Sequence, residues 1–499
     1  MSDLAKILGF ATETDSEIAA LVVEDEMASG KAPADAVFAA LARLRGAFAL
    51  VYLFEGHDDL LIGARRGAPL AIGYGEGEMF LGSDALALAP FTNRVAYLEE
   101  GDWALVTRAG AEVHDAAGKV VQRRTQVSPA GSLLAEKGNY RHFMAKEIHE
   151  QPEVVGHTLA HYVDMASMRL KPFDWPVDPK TLSRITIIAC GTAYMAGLVG
   201  KYWIERFARL PVEIDVASEY RYRDAPVDPN GLTIVVSQSG ETADTLASLK
   251  YVKERGSKTI GVVNVPTSSI ARLTDAAAPT LAGPEIGVAS TKAFTCQLAA
   301  IAALAVGLGL ARGTIDEKQE TALVAELVAT PGLIAEALKL EQATEKLAQA
   351  IAHAHDVLYL GRGTSYPLAL EGALKLKELS YIHAEGYAAG ELKHGPIALI
   401  DPEMPVVVIA PHDSVFEKTV SNMQEVAARG GRLILIGEPH AAEEAAVEIE
   451  HFLAMPDVGA NFAPIVYAVP VQMLAYYAAV IMGKDADQPR NLAKSVTVE

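Results

Sequence analysis

Ser237-Gln238-Ser239-Gly240-Glu241-Thr242 is the stretch from which the fold reads outward. It follows the strand-like run Leu232-Thr233-Ile234-Val235-Val236 and opens the helix-like run from Ala243 to Val252. A β-branched strand, a turn of small hydroxyl residues and a helix start together make an anion site. The first-turn N–H groups have no intrahelical partners, and the helix dipole favours negative charge there. Hydroxyls of Ser237, Ser239 and Thr242 can add neutral donors around phosphate oxygens. Taken alone, the stretch could equally be an ordinary helix cap. Three hydroxyls and Gly240 within six residues favour phosphate. No Lys follows Gly240, which excludes a nucleotide P-loop.

The 499 residues are half hydrophobic and carry a formal net charge of −20. Such a length suggests about three domains. The charge excludes a nucleic-acid footprint. Two cysteines, Cys190 and Cys296, exclude a disulfide framework and fit a reducing cytosol, so a cytoplasmic setting is expected. The first residues include Asp3 and no long apolar core, unlike a signal peptide. The apolar run Leu298 to Ala311 is too short to span a membrane, and Phe462 to Gly483 contains Pro464, Pro470 and Gln472. Both read as buried helices of a large α/β core, with no membrane partner.

In chain order, residues 1 to about 115 form one unit. Helices are expected over Ser16–Ser29 and Ala32–Leu44. Strands are expected at Ala47–Phe54, Leu60–Ala64, Leu70–Tyr74, Met79–Gly82 and Trp103–Thr107. A connecting region over 116–155 includes Arg123–Ser132, without clear periodicity, and a helix through Tyr140–Ile148. Beyond it the chain repeats itself. Gly191-Thr192-Ala193-Tyr194 recurs as Gly363-Thr364-Ser365-Tyr366, Thr233–Val236 as Val406–Ile409, and Arg255-Gly256-Ser257-Lys258 as Arg429-Gly430-Gly431-Arg432. The nearly constant register argues for duplication of one α/β domain, over 156–330 and 331–483, before a tail over 484–499. Alternating strand and helix runs imply mostly parallel sheets covered on both faces. The copies differ where chemistry would sit: the second has Ala410-Pro411-His412-Asp413-Ser414 in place of the hydroxyl loop. One phosphate site is therefore expected, in the first copy, with Thr192 beside the Ser237 loop at the carboxyl ends of strands.

Glu371, Lys375 and Glu378 stand at i, i+4 and i+7 on the helix after Gly363 and share one face. This could be a solvated Glu–Lys pair, but a carboxylate beside an ammonium at a strand end is also a proton carrier if burial tunes it. His394 lies in the glycine-framed stretch Ala389–Pro396, where a loop histidine is either plain surface or pressed against a ligand. Lys494 falls in the tail, where spacing assigns nothing. There is no metal-ligand cluster of useful spacing and no serine-hydrolase elbow. The residues alone lead to a phosphosugar-type site in a duplicated α/β protein.

From Tyr140 to Glu499 the chain resembles the glutamine:fructose-6-phosphate aminotransferase (isomerising) family, also called glucosamine-6-phosphate synthase. The resemblance rests on Tyr140-Arg141-His142, Ala189-Cys190-Gly191-Thr192, Ser237–Thr245, Glu285–Lys292, Glu371–Pro396 and Asp487–Glu499. It implies two tandem sugar-isomerase (SIS), flavodoxin-like parallel-sheet domains preceded by a partial Ntn-hydrolase-type glutaminase α+β segment. It implies no cofactor, fructose 6-phosphate as substrate, glucosamine 6-phosphate as product, glutamine or ammonia as nitrogen source, and a homodimer. By position, Thr192, Ser237, Gln238, Ser239 and Thr242 resemble the phosphate and sugar pocket, with Val288, Ser290 and Ala493 as further sugar contacts. Glu378 resembles the carboxylate that moves a proton between C1 and C2. Lys494 resembles the imine-forming amine, and His394 the ring-opening histidine that reaches the neighbouring subunit's site. Lys375 and Glu371 resemble helix residues that support these steps. Ala193 departs from the serine often found there in the family.

Residues 1 to about 115 resemble the later part of the family's glutaminase domain, from Glu13-Thr14-Asp15-Ser16-Glu17 onward. Asp15 matches an aspartate that binds the glutamine amino group. The family's nucleophilic cysteine has no counterpart, and Cys190 and Cys296 both fall in the isomerase half. The expectation is that this polypeptide does not hydrolyse glutamine by itself. A sugar-phosphate sensor, a plain ketose–aldose isomerase and a deglycase-like relative are the alternatives.

Overall fold

The computed structural model describes residues 14–127 and 137–496, apart from the side chain of Leu86. Glu13, residues 128–132 of the connecting stretch and Thr497–Glu499 of the tail lie outside the described residues.

Residues 14–127 form one unit. The helices Asp15–Ala28 and Pro33–Arg43 pack together, and Val22, Val37, Tyr52, Ile62 and Trp103 form their shared core. One antiparallel sheet runs in the order Phe48–Leu53, Leu61–Arg66, Trp103–Thr107, Gly110–His114 and Val120–Val121. A second runs in the order Met79–Gly82, Ala71–Tyr74, Arg94–Tyr97 and Gln126–Val127. The five strands expected from sequence are present, within a residue or two of their expected ends. The expected end of the unit near residue 115 is too early: Val113 pairs with Val121 and Val95 with Gln126. Arg94–Tyr97 and the two-residue strands are too short to show an alternation, so pairing alone defines them. Among the described residues, Phe48–Leu53 is an edge strand, with Val51 and Leu53 exposed.

The second unit, Lys137–Ser495, carries the duplication. It opens with α1 (Phe143–Tyr162), longer than the Tyr140–Ile148 expectation and crossing the expected boundary at 155. Met144, Ile148, Gln151, Val155 and Leu159 recur on its buried face, so α1 belongs to the core rather than to a linker. The first half then has β1 (Ile185–Ala189), α2 (Gly191–Phe207), β2 (Val212–Val216), β3 (Leu232–Ser237), α3 (Ala243–Glu254), β4 (Lys258–Val263), β5 (Ala276–Pro279) and α4 (Lys292–Arg312). Helices α5 (Glu317–Leu338) and α6 (Glu341–Ile351) join it to the second half. That half has β6 (Asp356–Gly361), α7 (Ser365–Ser380), β7 (His383–Ala388), β8 (Pro405–Ala410), α8 (Phe416–Ala427), β9 (Arg432–Gly437), β10 (His451–Ala454) and α9 (Ala463–Ile481).

Both sheets are wholly parallel and share one order: β2-β1-β3-β4-β5 and β7-β6-β8-β9-β10. The order reverses beside β1 and β6, so a crevice opens between the first and third strand of each half. Buried β-branched runs such as Leu232–Val236 and Val406–Ile409 suit strands covered on both faces. Helices α4, α5 and α9 are long and apolar enough to cross a membrane. The apolar windows of α4 and α9 are 89% and 83% buried within the protein, as expected for core helices. α5 packs on α1 and α9, and its buried Glu320 accepts the Leu170 N–H at 2.9 Å.

Candidate active site

The hydroxyl loop sits at the carboxyl end of β3. Ser237 Oγ lies 2.9 Å from Thr242 Oγ1 and accepts the Gly240 N–H at 3.0 Å, and Ser239 Oγ accepts the Glu241 N–H at 3.2 Å. Thr242 is the N-cap residue of α3, yet its side chain makes no capping bond to the helix. The hydroxyls therefore organise the loop instead of closing the helix end, and the loop precedes the first turn of α3, the positive pole of its dipole. Gln238 contributes its carbonyl, which accepts the Asn264 N–H at 3.3 Å. Gly240 has φ +67°, a left-handed conformation that suits glycine.

Thr192 is the second residue of α2, which follows β1, the strand hydrogen-bonded alongside β3. Its Oγ1 donates to Glu371 Oε1 at 3.2 Å, so a residue of the first half meets α7 of the second. On α7, Glu371 and Lys375 are 0% and 1% exposed. Lys375 Nζ lies 3.5 Å from Glu371 Oε1 and is hydrogen-bonded to Glu378 Oε2. The shared face expected from i, i+4, i+7 spacing is thus interior at Glu371 and Lys375 and half-buried at Glu378. Burial pushes the Glu371 carboxyl up to about 7, with Lys375 opposing and the Glu378 charge adding to the rise. Burial alone would lower Lys375, but the two carboxylates outweigh it and hold the ammonium above its ordinary value.

The tail folds back onto the first half. Lys494 Nζ donates to Glu285 Oε2 at 2.5 Å and to the Gly287 carbonyl at 2.8 Å. Glu285 is fully buried; its Oε1 also accepts the N–H groups of Thr291 and Ala293 at 2.8 and 3.0 Å, and its Oε2 the Ser290 hydroxyl at 3.1 Å. Burial opposes ionisation of Glu285, yet Lys494 and these donors hold it below the usual carboxylate value. Upstream, Asp487 accepts the first two N–H groups of α1, Phe143 at 3.0 Å and Met144 at 2.9 Å, and its carbonyl accepts the Val288 N–H at 3.0 Å. A capping carboxylate and an ion pair therefore anchor the tail.

The SIS domain family matches residues 181–307 and 350–482. The glutamine–fructose-6-phosphate aminotransferase [isomerizing] of Bradyrhizobium diazoefficiens is 65% identical over 491 residues, 98% of this chain and 81% of that protein. The chain belongs to this aminotransferase family. The Brucella abortus member is 59% identical over 490 residues, with the same coverage. Among solved structures, the C-terminal domain of the Francisella tularensis glucosamine-fructose-6-phosphate aminotransferase matches with TM-score 0.69 and 43% identity, covering 71% of this chain and all of that one. A glucosamine-6-phosphate deaminase from Thermotoga maritima, with TM-score 0.55 and 21% identity over 71% of this chain and 99% of that one, shares the fold.

In this member of the aminotransferase family, Thr192, Glu371, Lys375 and Glu378 are brought together by α2 and α7, and Ser290 and Lys494 meet at Glu285. Val288 is half-buried in the same loop, and Ala493 is exposed beside Lys494. His394 ends the 3₁₀ turn Ala389–His394 and is exposed; no hydrogen bond or ion pair joins it to Glu371, Lys375 or Glu378. Asp15 is an exposed first-turn residue of its helix in the first unit. Burial raises the Cys190 thiol and pushes Cys296 up to about 12, the reverse of what a thiolate nucleophile needs. Sequence reasoning gave no role to Glu285, Glu147 or Asp487. A signal for Glu147 was present: an acid in register with Met144, Ile148, Val155 and Leu159 on a mostly apolar helix face.

Proposed function

We propose that the chain converts D-fructose 6-phosphate into D-glucosamine 6-phosphate, the family's reaction, with nitrogen drawn from glutamine or ammonia. The observation that carries this reading is the Thr192–Glu371 bond, which joins the phosphate-loop half to the set of buried Glu371, buried Lys375 and half-buried Glu378. In this reading the Ser237, Ser239 and Thr242 hydroxyls, Thr192 and Gln238 receive the phosphate and sugar. Val288, Ser290 and Ala493 line the sugar's other side.

Lys494 adds to the C2 carbonyl and loses water as the imine forms. Glu285, hydrogen-bonded to Nζ, is the nearest acceptor for the amine's proton. Ammonia then displaces the lysine, leaving a substrate imine whose C1 protons are acidified. Glu378 takes one C1 proton and returns it at C2, while the C1 hydroxyl proton passes to nitrogen; the products are an aldehyde at C1 and an amine at C2. Lys375 lies between Glu371 and Glu378 and stabilises the charge as the proton moves. His394 opens the sugar ring in the partner subunit's site, which makes the working unit a homodimer in the cytoplasm. Cys190 and Cys296 lie in the isomerase half with raised thiols, so glutamine hydrolysis is not expected from these 499 residues alone.

NMR product analysis of fructose 6-phosphate with ammonium or with glutamine tests the reading. Glucosamine 6-phosphate from ammonium is the expected result. Glucose 6-phosphate alone would reduce the function to isomerisation, and product from glutamine would refute the glutaminase expectation. No turnover in either mixture would favour a sugar-phosphate sensor.

A further inference from the structure

Glu147 lies on the buried face of α1 and is 2% exposed. Its Oε1 accepts the Ile286 N–H at 2.5 Å, and its two oxygens lie 3.4 and 3.3 Å from the Gly287 N–H. Gly287 allows that approach, because a Cβ there would stand 2.9 Å from Glu147 Oε2. The segment so gripped is the tail's anchor: Gly287 supplies the carbonyl and Glu285 the carboxylate that hold Lys494 Nζ. The N-terminus of α1 is itself capped by Asp487 of the tail. One helix, outside both repeated halves, thus holds the tail directly and through the loop. An apolar residue at 147 would leave two loop amides without their acceptor, and a buried amide left unsatisfied is destabilising.

We infer that Glu147 is a positioning residue: it sets the loop 285–288 and, through that loop, the place of the Lys494 amine, without touching substrate. This rests on the imine-forming role given to Lys494 above. The groups facing the Glu147 carboxylate are Glu285 of the loop, Lys494 of the tail and Lys292 of α4. Burial and the Glu285 charge push its carboxyl up to about 7, with Lys494 and Lys292 opposing. Protonation replaces one acceptor oxygen by a hydroxyl, so the grip on the loop amides weakens as pH falls through that value.

The test uses the full chain, its Glu147→Gln and Gly287→Ala variants, and Lys494→Ala as control. Borohydride reduction in the presence of fructose 6-phosphate traps the imine, and peptide mass spectrometry locates it. In both variants, trapping at Lys494 and kcat should fall together by about tenfold, with KM within about twofold, because displacement rather than binding is at stake. Wild-type trapping should gain a rising limb near pH 7 that Glu147→Gln lacks. A folded Glu147→Gln with wild-type trapping and pH profile overturns the inference, as does a change in KM alone. Gly287→Ala carries the same test if Glu147→Gln does not fold. Turnover surviving in Lys494→Ala would refute the imine reading instead, which separates the two failures.

Discussion

Gly240 and Glu378 set the smallest-scale demands of the site. At Gly240 the backbone takes φ +67°, and an added methyl would collide with the Ser268 side chain. Gly240→Ala should cost about 2 kcal/mol of stability and weaken phosphate binding together, since the loop hydroxyls hang on this turn. Chemical denaturation and calorimetric titration with fructose 6-phosphate check both. Glu378→Gln keeps the shape and removes the base; solvent deuterium should no longer enter the substrate while phosphate affinity stays. Retained exchange would strip Glu378 of its role. At Glu371 the sign follows from a carboxyl raised from 4.5 to about 7 by burial. The folded state binds more protons than the unfolded one across that window, so this group's contribution falls as pH rises from 4.5 to 7 and is constant above. Its span is on the order of 3 kcal/mol. Glu371→Gln should therefore gain stability relative to wild type between pH 5 and pH 7.5; an equal difference at both would refute the assignment.

Periodicity carried the elements well where a strand or helix had a face to declare. The run Leu232–Val236, the helix start after Thr242 and the twin apolar helices α4 and α9 were legible because burial on both faces writes long uninterrupted apolar runs. Strands such as Arg94–Tyr97 were not, because four residues cannot show an alternation. At the site, the spacing of Glu371, Lys375 and Glu378 gave a common face but not its burial, which depends on α2 and α9 packing over α7. Asp487 and Glu285 were invisible as anchors because their partners lie far away in sequence, 344 and 209 residues in the bonds Phe143–Asp487 and Lys494–Glu285. The tail's hold follows from those bonds. Asp487→Ala removes the acceptor for two α1 amides and should cost about 1–2 kcal/mol. Limited proteolysis should then cut more readily between Lys484 and Lys494, with kcat falling as Lys494 loses its seat. Unchanged cleavage would mean that the Glu285 ion pair alone secures the tail.

Within residues 137–495 the largest hydrophobic cluster runs from Met144 to Ala486 through both halves, with a smaller cluster in each half beside it, and Trp203 of α2 donates to the Asn461 carbonyl at 2.7 Å and stacks edge-on with Phe462. The two repeated halves thus share a core, and Thr192, Glu371, Lys375 and Glu378 are brought together by elements of both. His394 stands apart from this economy. It is exposed, on a turn following β7, with no bond to Glu371, Lys375 or Glu378 of its own chain. A histidine that opens a sugar ring must reach the sugar, and exposure fits service to a second copy's crevice, as the two-fold symmetry of a homodimer allows. Mixing two inactive variants decides the matter. In a heterodimer of His394→Ala and Glu378→Gln, a histidine acting across the interface leaves one site with both groups intact and one with neither. Half of a statistically exchanged mixture is heterodimer, so activity should return to about a quarter of wild type. A histidine acting within its own chain gives no intact site in any combination, and the mixture would stay as inactive as its parents.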